Sequence, residues 1–358
     1  MEASKFTQYI NQYLGGIVLK RVETINNETM PLRYLHLDLL EKKYSIDGKW
    51  TSLSANNKYL MADIIAMDSS IPLKSRGSMG KATGDIFKVG QEYALREEEL
   101  TELDTLTATG QATEVVRRFF ADTPKVITAV YERNEAVFQE LLSTGIALVT
   151  SETDTVGTGV RIDAGIPTEN KFDATLSWSN ALATPVSDMR KVLDKAEVDG
   201  KRVLKFLMNR ATFDKLKASA EGKALYAISV GNYGTTLQVP TSEMFINAFR
   251  SDFGAEIQIV ERSVTRQRNG VDTTYKPWKD GAVTAITENK IGSLVWAKLA
   301  EMNHPVAGVA YTTADEYILV AKFRENRPSL AEITNSQARV CPVLDNVEAI
   351  YLLNTIVV

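Results

Sequence analysis

The sequence is poor in the residues from which many enzymes and metal proteins build their sites. Its 358 residues include one cysteine, Cys341, and two histidines, His36 and His304. A single cysteine excludes an intrachain disulfide and a multi-cysteine metal site, and two histidines so far apart exclude the usual zinc sites. We predict that Cys341, in an apolar strand-like run, is a buried thiol rather than a nucleophile paired with His304. His36 is predicted to be a packed or surface side chain rather than a base, and no cofactor or metal is expected.

The chain also lacks an excess of charge of one sign and any long apolar run. Its 41 Lys and Arg and 45 Asp and Glu give a net charge of −4, whereas proteins whose main role is to bind nucleic acid carry clustered positive charge. No apolar run approaches the roughly 20 residues that span a bilayer, and no signal peptide is evident. We expect a soluble, intracellular chain of two domains, at about 150 residues per domain.

Two local patterns are weak matches to functional sites. Residues 77–81 resemble a phosphate-binding loop, but two residues instead of four separate the glycines and Ala82 follows the lysine. The acidic run 97–104 is interpreted as the solvated start of a helix, which the helix dipole favours, rather than as a metal site.

The N-terminal quarter predicts projecting elements instead of a compact domain. Residues 4–14 place apolar side chains on one face of a helix that Gly15-Gly16 would end. Eleven residues are marginal as a free helix, so we expect it to dock on its own body or on a neighbour. Residues 17–55 predict an extended arm with local strands. Residues 56–94 predict a long hairpin with a basic tip, which alone is only marginally stable and is expected to gain support from another subunit.

A long helical region follows at 97–145. Its apolar residues repeat every eleven positions, about 3.67 per turn, which is typical of a nearly straight helix lying on a sheet. Thr123-Pro124 interrupts the pattern, so the helix either kinks or begins again there. The rest of the chain predicts an α+β body, with these elements: helices 185–198, 210–226 and 241–250; strands 203–208, 256–260, 282–286 and 348–358; a hairpin turned by Asn269-Gly270; and paired strands 317–323 and 338–344.

This order of elements resembles the tailed-phage (Hong-Kong-ninety-seven-like) capsid fold, and within it the lambda-type major capsid proteins. The resemblance is carried by residues 63–77 with the return at 83–86, by 203–216, and by the hairpin 269–271 followed by 279–282. It implies an α+β fold with an N-terminal arm, an extended loop, a long spine helix, and peripheral and axial domains. The implied boundaries are: arm 1–55; extended loop 56–94; peripheral domain 95–178, with a return at 316–344; axial domain 179–315, with its C-terminal strand at 345–358.

The resemblance implies a major capsid protein, not an enzyme, that self-assembles into hexamers and pentamers of an icosahedral head shell. The shell would enclose double-stranded DNA without sequence-specific binding, in virions assembled in the host cytoplasm. Portal, scaffolding and decoration proteins are further implied partners, and no membrane is involved. Some relatives crosslink a loop lysine to an asparagine of a neighbour. Lys74, Lys81, Asn326 and Asn335 lie in suitable regions, but we expect no crosslink because lambda-type relatives lack one.

Two groups of residues are predicted to make contacts between subunits, and a third is predicted to dock the N-terminal arm on its own body or on a neighbour. The basic tip of the extended loop has the right charge to meet the acidic helix start of a neighbour, although a solvated, flexible loop is an equal alternative. The groups are: the extended loop, Asp63, Met67, Leu73, Lys74, Arg76, Lys81 and Asp85; the acidic helix start, Glu97, Glu98 and Glu102; and the docking face of the N-terminal arm, Phe6, Tyr9, Ile10 and Tyr13.

Other functions remain open on the sequence alone. An encapsulin-like nanocompartment has the same fold and encloses an enzyme instead of a genome, with the helix at 4–14 beside a cargo site. An α+β enzyme with a swapped hairpin arm is less favoured, because no acid, base, nucleophile or metal set is recognisable. A tail-tube or baseplate protein would be richer in strands and would lack a long spine helix.

Overall fold

A computed structural model describes residues 3–25, 27, 33–55, 79–149, 160–229, 231, 238–268, 270–327 and 329–357. The helices among these residues are α1 (Thr7–Ile25), α2 (Leu35–Leu39), α3 (Glu97–Ala108), α4 (Ala112–Phe119), α5 (Thr123–Thr144), α6 (Pro185–Val198), α7 (Arg210–Ala218), α8 (Ala220–Ser229), α9 (Ser242–Phe253) and α10 (Ala300–Asn303). The strands are β1 (Leu40–Tyr44), β2 (Lys49–Ala55), β3 (Met79–Asp85), β4 (Lys88–Leu95), β5 (Ile146–Val149), β6 (Val160–Asp163), β7 (Lys171–Asp173), β8 (Lys205–Asn209), β9 (Glu256–Val260), β10 (Val264–Arg268), β11 (Val271–Tyr275), β12 (Ala282–Ile286), β13 (Gly292–Ala297), β14 (Ala310–Ala314), β15 (Ile318–Glu325), β16 (Ala331–Leu344) and β17 (Ile350–Asn354).

The chain divides into two compact units, each assembled from separate stretches of sequence. Unit 1 comprises Met1–Trp50, Gly84–Phe138 and Ser293–Val343. Unit 2 comprises Thr51–Thr83, Gln139–Gly292 and Leu344–Val358.

Unit 1 is organised around the long strand β16. The six-stranded sheet has the order β1-β13-β16-β15-β14, and β4 also pairs with β16. The first part of β16 is antiparallel to β15, with Ile318 opposite Ala338, and antiparallel to β4, with Leu95 opposite Glu332. Helix α5 is tied to this strand because the Ser336 hydroxyl donates a hydrogen bond to the carbonyl of Val126 at 2.7 Å. The spine helix therefore lies on the sheet, as the eleven-residue repeat predicts.

Unit 2 contains a five-stranded sheet that packs against α6, α7 and α9. Its order is β7-β17-β12-β8-β9, in which β12 is antiparallel to β8 and β17, while β8–β9 and β17–β7 are parallel. Asn209 starts α7 by accepting a hydrogen bond from the Thr212 backbone N–H at 2.9 Å, and Gly254 ends α9 in the left-handed conformation. The core joins the sheet to α6, α7 and α9, and four phenylalanine rings at its centre are fully buried: Phe206, Phe213, Phe245 and Phe249.

Most predicted body elements are confirmed, several with shifted ends. The strands at 256–260 and 282–286 and the helix at 185–198 are found as predicted. The strand that pairs with β15 begins at Ala331, so residues 331–338, rather than 338–344, lie opposite it. The predicted helix at 210–226 is two helices, α7 and α8, separated at Ser219.

The N-terminal region differs most from its prediction. Helix α1 does not end at Gly15-Gly16 but continues to Ile25, because its buried stripe continues through Leu14 and Val18 to Ile25. The region 97–145 is three helices, and the last one begins at Thr123, the restart that Pro124 permits.

The predicted hairpin is described only in part, since its first strand at 59–67 and most of its tip lie outside the described residues. Its return segment is two strands: β3 pairs with β2, and β4 pairs with β16.

Candidate assembly interfaces

The N-terminal arm packs on its own chain through the face that the sequence predicts. Phe6 and Ile10 are buried, and the Phe6 ring centroid lies 4.9 Å from that of Phe119 on α4. Tyr9 is half-buried beside Phe6, whereas Tyr13 is 37% exposed. Two of the four predicted docking side chains therefore reach the core of unit 1.

Two carboxylates hold the residues that precede the first turn of α1. The Lys5 backbone N–H donates to Oε1 of Glu332 at 3.2 Å, and the Lys5 ammonium lies 3.0 Å from both carboxylate oxygens of Asp104. Glu332 is 3% exposed, and burial raises its pKa. A buried acceptor at the amino end of α1 fits the polarity of the helix dipole.

Lys322 is a buried cation beneath this contact. Its Nζ donates to the Phe119 carbonyl at 2.9 Å and to the Thr334 hydroxyl at 2.7 Å, and it lies 3.9 Å from the centroid of the Phe119 ring. Desolvation lowers the pKa of Lys322 to about 7, although the nearby Glu332 carboxylate partly opposes this shift. Phe119 thus has the arm residue Phe6 beside its ring and the Lys322 ammonium within cation–π distance.

We expect the free energy of unfolding to rise with pH between about 7 and 8.5 because of Lys322. In this window the unfolded chain keeps the lysine protonated, near its usual pKa of 10.5, while the folded chain has released the proton. Stability rises with pH wherever the unfolded state binds more protons, by up to about 1.4 kcal/mol per pH unit for one group. Urea unfolding of the unassembled chain across this window measures the slope.

The matched variants for this test are Lys322→Met and Lys125→Met. Methionine suits the apolar surroundings and cannot titrate. The difference between the unfolding free energies of the wild type and Lys322→Met, taken at each pH, therefore isolates the contribution of this lysine. Lys125 is exposed and its pKa is raised by Asp122, so Lys125→Met should keep the wild-type slope. A flat difference curve for Lys322→Met would show that the buried ammonium does not titrate near pH 7.

The acidic helix start is divided between paired and unpaired carboxylates. Glu99 accepts a hydrogen bond from the Arg96 backbone N–H at 2.9 Å, and Glu102 forms an ion pair with Arg118. Arg118 also contacts Glu114, whose pKa is lowered to about 2 by hydrogen bonds from Arg117 and Arg118.

The two remaining carboxylates of this helix start, Glu97 and Glu98, are exposed. Within the described part of the chain, no basic side chain forms an ion pair with either of them.

The extended-loop residues are described only at the end of the loop. Lys81 lies in β3, where its backbone alone is described, and Asp85 is exposed at the end of that strand. The remaining predicted contact residues lie outside the described residues: Asp63, Met67, Leu73, Lys74 and Arg76.

His36 and Cys341 are both structural. His36 is fully buried, with Nδ1 2.6 Å from Oε2 of Glu135, so the prediction of a packed histidine is confirmed. Burial raises the pKa of the Cys341 thiol well above its usual range, and His304 is exposed, so the two are not a nucleophile and its base.

The buried charges that hold these contacts were not predicted from the sequence. Lys322 lies in the apolar run 317–323, and Glu332 is the second residue of β16. A lone charge within a strand-like apolar run is the one local signal that could have drawn attention to Lys322. Glu332 and Asp104 carry no such signal. Both bind Lys5, which is 327 positions from Glu332 and 99 positions from Asp104 in the sequence.

The side chains of the described residues do not gather into a metal site. No group of three or more His, Cys, Asp or Glu among them is placed to hold a metal ion. No helix that the structure describes has the length and hydropathy needed to cross a membrane.

Comparisons with known proteins show the family and the fold. The family model of phage major capsid protein E matches residues 69–315, more than half of the chain, whereas no curated protein matches it. Among solved structures, a phage-related protein of Bordetella bronchiseptica RB50 has a TM-score of 0.54 at 12% identity, covering 95% of this chain and 96% of that one. A protein of Escherichia coli CFT073, assigned as the capsid protein of a prophage, has a TM-score of 0.54 at 14% identity, covering 99% of each chain. The fold is the tailed-phage (Hong-Kong-ninety-seven-like) capsid fold, and the chain belongs to the phage major capsid protein E family, the shell-forming proteins of the virion.

Proposed function

We propose that copies of this chain form the hexamers and pentamers of a closed icosahedral head shell around double-stranded phage DNA. The observation that carries this proposal is the family match over residues 69–315. The net charge of −4 supports a container that does not hold DNA tightly, because tight phosphate binding needs clustered positive charge. The shell would assemble in the host cytoplasm, with portal, scaffolding and decoration proteins as partners, and without enzymatic activity.

Within the shell, the basic tip of the extended loop would meet Glu97 and Glu98 of a neighbouring copy. Both carboxylates are exposed at the amino end of α3, while Glu102 is paired with Arg118 of its own chain. The partners on the loop would be Lys74, Arg76 and Lys81, whose charge is opposite. Each exposed pair is worth only about 0–1 kcal/mol, but repetition over a whole shell would make assembly sensitive to salt.

Light scattering with negative-stain microscopy, on the protein expressed alone and with a scaffold, tests shell formation. We expect closed shells, tubes, or rings of five and six subunits. DNA inside native particles would support a genome container, whereas an enzyme cargo would favour the nanocompartment alternative. A monomer or dimer at every concentration, with and without a scaffold, would contradict the proposal.

Charge reversal then tests the loop contact. Arg76→Glu should lower the shell yield and weaken its salt dependence, because it places a like charge beside Glu97 and Glu98. Adding Glu97→Lys, which leaves Glu98 to meet Lys74 and Lys81, should raise the yield again, whereas adding Glu243→Lys, at an exposed acid in the first turn of α9, should not. An unchanged yield and salt dependence for Arg76→Glu would favour the solvated loop.

A further inference from the structure

Helix α1 contains two adjacent glycines that its own conformation does not require. Gly15 and Gly16 lie in the middle of the helix, are exposed, and do not have positive φ. A Cβ atom built on either glycine would have no atom of the described residues within 4 Å. Glycine disfavours a helix interior roughly fivefold relative to alanine, so the pair weakens α1 by roughly 25-fold, and no contact among the described residues compensates for this.

Gly222, by contrast, is a helical glycine that close packing requires. Gly222 in α8 is buried, and a Cβ there would lie 2.3 Å from the carbonyl oxygen of Leu216. Glycine is needed at that position because the backbone of the preceding helix approaches it. Gly15 and Gly16 have no such neighbour among the described residues, so close packing in this conformation does not account for them.

The glycine pair separates two halves of α1 that are anchored independently. The first half is held at its start by Glu332 and Asp104, through Lys5, and by Phe119, through Phe6. The second half is held by the Arg21 guanidinium, which donates to the Thr128 hydroxyl on α5 at 3.1 and 2.7 Å. A break at Gly15-Gly16 would therefore free the first half while the second stays in place.

We propose that Gly15-Gly16 is the hinge of a swapped arm, and that in the shell residues 3–14 of one copy occupy this docking site on a neighbouring copy. The site is built for this segment: Glu332 accepts its backbone N–H, Asp104 pairs with its lysine, and Phe119 packs on its phenylalanine. An exchange of identical segments keeps every one of these contacts, so it is a low-cost route to association. A shell supplies the neighbour at high local concentration. The proposal rests on shell formation.

Thiol crosslinking distinguishes the swapped arm from the closed one. In a Cys341→Ala background, Lys5→Cys and Asp104→Cys place thiols at the ends of an exposed ion pair, so their loss should not unfold the chain. One sample co-expresses the two single variants, so that a short bismaleimide can join them only between chains. The other carries both substitutions in one chain. The double variant is crosslinked both before assembly and in shells. Microscopy of every assembled sample establishes that shells are present before crosslinking, so that a failure to assemble is recognised separately.

We expect a covalent dimer from shells of the co-expressed single variants. The unassembled double variant should instead crosslink within one chain and run as a monomer. Lys5→Cys co-expressed with Asp214→Cys, at an exposed acid of α7, controls for chance contacts and should give no dimer. Intact shells that yield only intrachain crosslinks in the double variant, and no dimer from the single variants, would overturn the swap.

The hinge is tested by Gly15→Ala with Gly16→Ala in the same co-expressed pair. Both alanines fit the helix and should favour its unbroken form by roughly 25-fold, so the dimer fraction in shells should fall severalfold or assembly should slow. Gln12→Ala with Glu23→Ala, at exposed positions of the same helix, should leave the dimer fraction unchanged. An unaltered dimer fraction and assembly rate in the double-alanine variant would show that the glycines are not the hinge.

Discussion

Replacing Glu135 with alanine should lower the free energy of unfolding by about 3–5 kcal/mol, the range observed when one partner of a buried polar pair is removed. Glu135 is fully buried on α5 and accepts three hydrogen bonds: from the backbone N–H of Leu35 at 3.1 Å, from that of His36 at 3.0 Å, and from the His36 ring at 2.6 Å. Alanine would leave these donors buried without their acceptor, and each such donor costs about 1–3 kcal/mol. Urea unfolding of the unassembled chain, followed by tryptophan fluorescence, measures the loss.

Glu132→Ala is the matched control for this prediction. Glu132 lies one turn earlier on α5 and is half-buried, and it accepts a hydrogen bond from the Tyr34 hydroxyl at 2.9 Å. Its removal should lower stability by about 1 kcal/mol. If Glu135→Ala were no more destabilising than Glu132→Ala, the Glu135 carboxylate would not be what holds residues 35 and 36 on the spine helix.

Asp188→Ala should destabilise unit 2 by about 3 kcal/mol. Asp188 on α6 is 1% exposed. It accepts hydrogen bonds from the Thr175 backbone N–H at 3.2 Å, the Thr175 hydroxyl at 2.8 Å, the Trp178 indole at 3.2 Å and the Lys191 ammonium at 3.0 Å. Without the carboxylate, the irregular segment before α6 loses its anchor and a buried indole loses its acceptor.

The readout for Asp188→Ala is local as well as global. Trp178 is 4% exposed, so release of its segment should shift its emission toward that of a hydrated indole, in addition to lowering the urea midpoint. Asp194→Ala, at an exposed position of the same helix, should change stability by no more than about 0.5 kcal/mol. A wild-type emission spectrum and midpoint for Asp188→Ala would contradict the anchoring role.

Glu135 and Asp188 anchor neighbouring segments in the same way as Glu332 anchors the start of α1. Each one extends from a regular element and accepts backbone or side-chain hydrogen bonds from a segment that cannot satisfy them by itself. Buried donors must find acceptors, so a carboxylate at such a point decides where the segment lies. Glu332 and Glu135 therefore position parts of the N-terminal region, whereas Asp188 positions the segment before α6.

Local patterns were sufficient for elements whose cause is local. The strand-like segments 256–260 and 282–286 and the eleven-residue apolar repeat correctly predicted β9, β12 and the buried face of α5, because each of these patterns is local in the sequence. The order of these elements, through its resemblance to a known family, also predicted the capsid fold that the comparisons confirm. Gly15-Gly16 misled the prediction of α1, because packing of Val18 and Ile25 outweighs the low helix propensity of glycine.

The sequence alone determined the fold class, the order of elements and the shell-forming role. Its single cysteine also excludes an intrachain disulfide. Only the tertiary structure decided which charges are buried and what they hold. Lys5 meets Glu332 across 327 positions of sequence, and His36 meets Glu135 across 99. Contacts at such separations leave no periodic trace, because they depend on how the elements pack and not on the residues that flank them.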